Sequence, residues 1–467
     1  MTGKKILLLM SWLTVSLTTV YAQGKLQLSL ADAKTYALAH NRTLQASGLT
    51  VQKAEAAKWQ AIATMLPHVD TKFGYTNFMG YSAKLDLMSR GGGDGMDPAL
   101  QQQIAADPSA QLALAAMSNM MGGGGATEIP MNPFGDMAVQ ATMVFSGMQF
   151  VGTQLSKLAL EMSKLNKNIS DLDVKANVTT AYFAVLVSEE SKRLIESSKE
   201  NLQKLHETTI KMYEVGMAEQ TAVDQLDVQV GLVENEVKKT ERNIELAYNA
   251  LRLVLGSNSS HFELTETLNG FLANNDVYTT AVSTFDINQN YNVLLLNQNV
   301  ELSKKQLNLK RFEYAPTLAL FYQYTTRTYF GQAEGFNMTP PNTVGASLNI
   351  PIFSSGERLS KVRQAKFDMK SAELMREDVI EGLQVQEKQL RFLLKSAIET
   401  YELQKKNVSV SERIFKNTVQ KYELGAVSST ELTTINNALI AAQGSYIGAL
   451  MELLTAQVNL QKLLNQL

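Results

Sequence analysis

The chain repeats itself. Tyr213, Glu214, Val215 and Gly216, followed by Thr221, recur as Tyr422, Glu423, Leu424 and Gly425, followed by Thr430, at a constant shift of 209 residues. After each Gly the apolar positions advance by alternating threes and fours. In the first copy they include Val223, Leu226, Val230, Val233, Val237, Leu251 and Val254. The same shift lands on Leu432, Ile435, Leu439, Ala442, Tyr446, Leu460 and Leu463, all apolar. A mean step of about 3.5 residues keeps one helix seam facing a partner helix. Two equivalent helical hairpins, each with Gly at its tip, are expected. Duplicated halves point to a pseudo-symmetric assembly rather than to one active-site pocket.

Upstream of each hairpin the grammar also repeats. Leu28, Ser29 and Leu30 lead into a short helix with Ser29 as its cap and Asp32 placed to favour the helix dipole. That helix pauses at Asn41, and a longer one runs toward Leu66 and stops at Pro67. The segment 68–78 then alternates, with Val69, Thr71, Phe73 and Tyr75 on one face and Asp70, Lys72, Gly74 and Thr76 on the other, which is the period of a strand. A second strand is expected over 136–146, with Met137, Val139, Ala141, Met143 and Phe145 on one face. In the second copy a helix from Tyr291 to Phe312 precedes Pro316, and strands are expected over 315–328 and 342–351. Asn41 and Pro67 align with Asn290 and Pro316 at a shift of 249 rather than 209, so the first copy carries extra residues between its strands. These fall in the Gly-rich stretch 91–125, which reads as a surface loop tip or, failing that, a ligand or phage-receptor segment.

The resulting organisation is an export signal over 1–22, a first repeat over 23–256 with its hairpin at 147–255, a connecting region over 257–288, and a second repeat over 289–467 with its hairpin at 355–467. The signal rests on Lys4 and Lys5 before an apolar run, and on Val20, Tyr21 and Ala22 as a cleavage site. No later stretch approaches 18 consecutive apolar residues, so no membrane-spanning helix is expected. There is no cysteine, which excludes disulfides and thiolate metal sites. A formal charge of −2 gives no basic face for nucleic acid. His40, His68, His206 and His261 lack ligand spacing, and neither a nucleophile elbow nor a phosphate-binding Gly-Lys-Ser/Thr loop is present. No catalytic residue, cofactor or metal site is expected.

Four short strands cannot close into a barrel, and open strand edges cannot sit in lipid. Membrane strands would therefore have to be pooled from several copies. The aromatic residues Phe73, Tyr75, Phe78 and Tyr81, then Phe321, Tyr322, Tyr324, Tyr329 and Phe330, suit a membrane interface but equally suit the core of a soluble sheet. The helices separate these readings. About 65 residues from Gly147 to Tyr213 give a rod near 100 Å at 1.5 Å per residue. The return helix is shorter, and the helix after Asn41 could stack on its end. The descending helix also bears two apolar stripes, one with Leu165, Ile169, Leu172, Ala176 and Phe183, the other with Val174, Val178, Ala181 and Val185. Two stripes imply neighbours on both sides, as in a wall of helices.

In this order and duplication the residues resemble the TolC-type outer membrane factors, the exit ducts of efflux pumps and type I secretion. The resemblance rests on Leu28-Ser29-Leu30 leading into Asn41, on Leu66-Pro67 and Ala315-Pro316 before strands, on Pro351-Ile352-Phe353-Ser354-Ser355-Gly356 after one, and on the paired Tyr-x-x-Gly turns. It implies an α+β, internally duplicated fold in which a homotrimer builds a shared transmembrane β-barrel and a periplasmic α-barrel of long coiled-coil helices. It implies the outer membrane of a Gram-negative bacterium, outer membrane lipid around the barrel, a periplasmic adaptor (membrane fusion) protein and an inner-membrane transporter as partners, and no enzyme activity. The family's gate would place Tyr422 as a gate tyrosine and Glu431 as a ring carboxylate. Thr434, Ala222 and Val427 stand where further charged gate residues are expected, so a charged latch of the family's kind is missing. Asp224 and Asp227 could supply acidity from the first hairpin, or be a solvated helix face. The turns at Tyr213, Gly216, Tyr422 and Gly425 would dock the adaptor. The alternative to a duct is a secreted or periplasmic coiled-coil scaffold, with a hydrolase in the connecting region as a distant third.

Overall fold

The computed structural model describes residues 26–85, 127–130, 132–257, 262–274, 277–330 and 340–467. The expected signal over 1–22 and the Gly-rich insert over 91–125 lie outside the described residues. In chain order the elements are β1 (Leu26–Leu28), α1 (Leu30–His40), α2 (Arg42–Ala63), β2 (His68–Thr76), β3 (Ser82–Leu85), β4 (Thr127–Pro130), β5 (Phe134–Phe145), α3 (Gly147–Glu214) and α4 (Gln220–Leu255). Then follow β6 (Phe262–Leu264), α5 (Leu268–Asn274), α6 (Val277–Val282), a 3-10 turn (Ile287–Gln289), α7 (Tyr291–Phe312), β7 (Thr317–Tyr329), β8 (Asn342–Asn349), α8 (Glu357–Glu423) and α9 (Ser429–Leu463). The fold is α+β and duplicated, with long helices and an antiparallel sheet.

The chain divides into two compact units that cut across the repeats. One comprises residues 1–58, 154–308 and 359–467, and the other 59–153 and 309–358. The second holds a four-stranded sheet in the order β2-β5-β7-β8, every neighbour antiparallel, and a two-stranded pair of β3 with β4.

In the first unit α1 opens as its sequence dictates. Ser29 Oγ accepts the Asp32 N–H at 3.1 Å while the Asp32 carboxylate receives the Ser29 N–H at 3.4 Å, a reciprocal capping box. The connecting region, unassigned by period, contributes β6, which pairs in parallel with β1, and the helices α5 and α6. Arg391 on α8 fixes it by donating to the Ala281 carbonyl at 2.6 Å and the Ser283 carbonyl at 2.5 Å. Both stripes of α3 are used. Phe183 and Ala176 on one, and Val174, Val178 and Val185 on the other, are buried in a core shared with Leu251, Leu255, Leu394, Leu450, Leu454 and Leu460. A second core lies toward the turns, where Leu202 and Leu205, Leu226 and Val233, Phe415 and Tyr422, and Leu432 and Leu439 pack from all four long helices. Each buried Leu contributes about 1.5–3 kcal/mol.

One helix bears on the expectation that no membrane-spanning helix is present. Ser429–Leu463 is long and apolar enough to cross a membrane by length and composition. Alanines such as Ala441 and Ala442 raise its hydropathy without an unbroken run of large apolar side chains. Its buried face, with Leu432, Leu439, Leu450 and Leu460, is the seam of the helical core.

The joints between helices repeat as faithfully as the seams. Asn41 Nδ2 donates to the Val254 carbonyl at 2.7 Å, while its Oδ1 accepts the Thr43 N–H at 2.9 Å. Asn290 Nδ2 donates to the Leu463 carbonyl at 3.0 Å, and its Oδ1 accepts the Asn292 N–H at 3.0 Å. In both copies one Asn caps the incoming helix and satisfies the last carbonyls of the return helix, so α2 abuts α4 and α7 abuts α9. The return helix α4 ends at Gly256 with φ +70°, where an added Cβ would lie 2.5 Å from the His40 carbonyl oxygen. The residue 209 further on, Asn465, takes the same left-handed conformation at φ +57°.

Two outcomes test this architecture. Leu226→Ala and Leu432→Ala should each cost about 2–5 kcal/mol by leaving cavities in the core near the turns, read as a lowered urea midpoint of the purified protein. Asn290→Ala removes the cap and leaves the Leu463 carbonyl without this partner, for about 1–3 kcal/mol. Amide hydrogen exchange should then accelerate at the first turn of α7 and the last turn of α9, whereas an unchanged exchange pattern would show that the joint does not depend on Asn290.

Candidate functional site

The sheet has the wrong polarity for a soluble protein. Cross-strand partners point to the same face, and the register pairs Val69 with Ala141, Thr71 with Val139 and Phe73 with Met137. It continues Ala141 to Tyr322, Val139 to Tyr324 and Met143 to Leu320, then Tyr322 to Val344 and Leu318 to Leu348. One face is therefore apolar across all four strands. The other carries Asp70, Lys72, Asp136, Gln140, Gln323, Thr325, Arg327, Thr343 and Ser347. The apolar face is uncovered, and along β7 it is the more exposed of the two, while on the edge strands β2 and β8 both faces are exposed. Phe73 is 78% and Val344 81% exposed, and along β7 Tyr322 and Tyr324 are exposed while Phe321, Gln323, Thr325 and Arg327 of the polar face are half-buried. In water this arrangement wastes the hydrophobic driving force; beside hydrocarbon it is what a spanning strand requires.

At the end of the sheet where β2 finishes and β5 begins, aromatic rings gather. Tyr75 and Phe330 lie 6.0 Å apart, Phe78 and Phe134 6.0 Å, and Phe134 and Tyr329 5.8 Å, with the Arg327 guanidinium 4.0 Å from the Phe134 centroid. Among the described residues β2 pairs only with β5, and β8 only with β7, so the sheet keeps two open edges.

The two helical turns are closed by the same pair of backbone hydrogen bonds. Gly216 N–H donates to Tyr213 O and Met217 N–H to Met212 O at 2.9 and 2.7 Å. Gly425 N–H donates to Tyr422 O and Ala426 N–H to Lys421 O at 2.9 and 2.8 Å. Both glycines are left-handed, at φ +74° and +72°, so each helix ends in the two-bond motif that favours Gly.

The candidate gate residues do not share one environment. Tyr422 is buried inside the chain rather than exposed. Its hydroxyl lies 3.2 Å from Thr209 Oγ1, and because Thr209 donates to the Leu205 carbonyl at 2.9 Å, Tyr422 is the donor between the two hydroxyls. Tyr213 is exposed, as are Glu431, Thr434, Asp224 and Asp227. Glu431 and Thr434 sit one turn apart at the start of α9. Asp224 accepts from Gln220 Nε2 at 2.8 Å on the first turn of α4.

Two residues at this site were missed in the sequence. Ser428 caps α9 by accepting the Glu431 N–H at 3.2 Å, and the Ser-x-x-Glu spacing of Ser428 and Glu431 was a legible signal for it. Thr209, the partner of Tyr422, carried no local signal. The turns of the two hairpins are joined by Ser429 Oγ donating to Gln225 Oε1 at 3.0 Å.

With this geometry established, comparison with known proteins is informative. Residues 287–466 match the family described as outer membrane efflux protein. The outer membrane protein TolC of Vibrio cholerae is 23% identical over 200 residues, which are 41% of this chain and 44% of that protein. The alkaline protease secretion protein AprF of Pseudomonas aeruginosa is 21% identical over 295 residues, 62% of this chain and 60% of that protein. The chain thus spans roughly half the length of the curated relatives it matches. The crystal structure of CusC shares the fold over 96% of this chain and 95% of its own, with a TM-score of 0.72 at 15% identity. The second repeat thus matches the outer membrane efflux protein family, and the chain, with its duplicated hairpins and two-faced sheet, is similar to the TolC-type outer membrane factors.

Proposed function

We propose that this chain is one copy of an outer membrane exit duct, a passive channel for substrates delivered by an inner-membrane transporter through a periplasmic adaptor, in efflux or type I secretion. The observation that carries this reading is the exposed apolar face of β2, β5, β7 and β8, combined with the two open edges of that sheet. The strands alternate in direction and are even in number, so β8 of one copy can pair antiparallel with β2 of the next, which closes the edges without changing the pattern. A homotrimer gives twelve strands, with the polar face of the sheet lining the channel and the apolar face against lipid. The repeats 23–256 and 289–467 then supply equivalent halves of a helical wall. The duct performs no chemistry of its own, and its transporter selects the substrate.

In this reading the turns at Tyr213, Gly216, Tyr422 and Gly425 are the docking points for the adaptor. Glu431, with Thr434 beside it and Asp224 and Asp227 on the first hairpin, lines the periplasmic constriction. Tyr422 acts there from within the chain, holding the second hairpin to Thr209, rather than by facing the lumen.

The membrane assignment makes an inverted prediction for an exposed side chain. Val344→Lys on the apolar face should cost about 2–4 kcal/mol if the residue lies at mid-membrane, and should reduce the heat-modifiable oligomer recovered from outer membranes. Thr343→Lys, on the polar face one residue away, should assemble at the parental yield. A soluble scaffold would tolerate both, and recovery of Val344→Lys as a soluble folded species would overturn the duct. For the constriction, Glu431→Gln should lower cation selectivity or divalent-cation block in planar-bilayer recordings at unchanged oligomer yield. Unaltered selectivity would remove Glu431 from the pore.

A further inference from the structure

The aromatic rings at the end of the sheet divide between its two faces, and lipid accounts for only some of them. Cross-strand partners share a face. Tyr75 pairs with Gly135, and Gly135 with Thr328, on the apolar face. Phe330 lies there too, 6.0 Å from Tyr75 and over Gly135, where an added Cβ would come within 3.3 Å of its ring. Such rings are what a strand carries where it meets the membrane surface. Phe134 pairs with Thr76 and with Tyr329, one position further on, and these stand on the polar face. Phe78 packs on Phe134 at 6.0 Å, and Tyr329 at 5.8 Å. A face that carries Asp70, Lys72, Gln140, Gln323 and Thr325 along its middle thus turns aromatic at one end. The one other Phe or Tyr on that face of the described sheet, Phe321, lies over Gly345, whose lack of a side chain gives it room.

Arg327 belongs to this cluster rather than to an ion pair. Its cross-strand partner is Asp136, yet no ion pair joins the two among the described residues. The Asp136 carboxylate lies over Gly74 on β2, where an added Cβ would be 2.6 Å from its Oδ1. The Arg327 guanidinium instead lies 4.0 Å from the Phe134 centroid, and its Nε is buried with no hydrogen-bond partner among the described residues. A guanidinium stays charged throughout the physiological range, so the stacked contact holds a fixed positive charge beside the rings. The chain enters β2 from α2 at His68 and leaves β5 for α3 at Phe145, so the cluster sits at the opposite end of both strands.

We infer that Phe78, Phe134 and Tyr329 form an aromatic collar inside the lumen at the outer mouth of the duct, and that Arg327, stacked on it, gives that mouth a preference for anions. The inference rests on the duct proposed above, whose lumen the polar face lines, and adds a selectivity site to it. Each copy contributes the same rings and the same guanidinium, so the collar closes as the barrel closes. Apolar constrictions hinder hydrated ions, and rings of Arg favour anions over cations. The sign is opposite to that of Glu431, so mutation separates the two sites.

Recordings from the full-length oligomer in planar bilayers test this. Arg327→Gln should raise the K+ to Cl− permeability ratio, read from the reversal potential in a KCl gradient, by about two-fold or more, the effect of one unit charge about 8 Å away in water. Arg327→Lys, which keeps the charge, should stay near the parental ratio. Phe134→Ala should raise the single-channel conductance. A parental ratio in Arg327→Gln, or a parental conductance in Phe134→Ala, overturns the inference. The absence of cysteine adds a readout that keeps Phe134 in place. Tyr329→Cys should lose current on exposure to an anionic methanethiosulfonate, and should react several-fold faster with it than with a cationic one. Thr328→Cys, one residue away on the apolar face, should respond to neither. Silence at Tyr329, or the reverse pattern, takes the rings out of the lumen. Failure of the duct itself reads differently: the parent chain is then recovered as a soluble species that forms no channels. Channels whose selectivity and conductance ignore these substitutions leave the duct standing and overturn the collar alone.

Discussion

A backbone N–H or C=O without a partner in hydrocarbon costs several kcal/mol, and this constraint governs the rest of the molecule. The sheet formed by β2, β5, β7 and β8 turns its apolar side outward and leaves β2 and β8 each paired on one side only. Neither property is stable for an isolated copy, in water or in lipid. Four antiparallel strands solve the problem only collectively, because identical copies joined edge to edge preserve the alternation of strand direction. The proposed duct answers this by joining copies edge to edge; within the chain itself α3 buries two stripes rather than one.

The helical part uses the same devices twice. One asparagine in each copy, Asn41 or Asn290, joins the end of a return helix to the start of the helix stacked on it. A left-handed residue follows each return helix, Gly256 in one copy and Asn465 in the other. The difference is consistent with the crowding, since an added Cβ at Gly256 would meet the backbone of His40 and Asn41. Where the copies diverge, as with the ion pair of Asp173 and Lys462 against Gly382 and Leu253, both side chains of the pair are replaced and Leu253 is exposed.

Most of the regular structure was legible because it is written in local periods. The helix from Tyr291 to Phe312 matches its expected span, and the long helices Gly147–Glu214 and Glu357–Glu423 end within a residue or so of their expected limits at the tyrosine-glycine turns. The strands β2, β5, β7 and β8 were legible from their alternation, whereas the short pair of β3 and β4 was not anticipated. The three-residue strands β1 and β6 were not, since three residues hold no period and their pairing joins residues more than 200 positions apart. The connecting region was opaque for a related reason: its short helices are held by carbonyl contacts to Arg391, a residue on a distant helix. At the candidate site, the Gly turns followed from the sequence, whereas Ser428 was overlooked despite its capping signature.

The sequence by itself determined the duplication, the helix seams and the two-faced strands, because each follows from side-chain spacing along a single element. Only the tertiary structure decided the strand order β2-β5-β7-β8, which brings the apolar faces of all four strands to one side. Only it decided that the apolar side is left uncovered, and that Tyr422 is buried against Thr209 while Tyr213, in an almost identical local sequence, stands exposed. Local pattern sets which face of a helix or strand is apolar. What that face meets depends on residues hundreds of positions away, so two nearly identical turns acquire different neighbours and different fates.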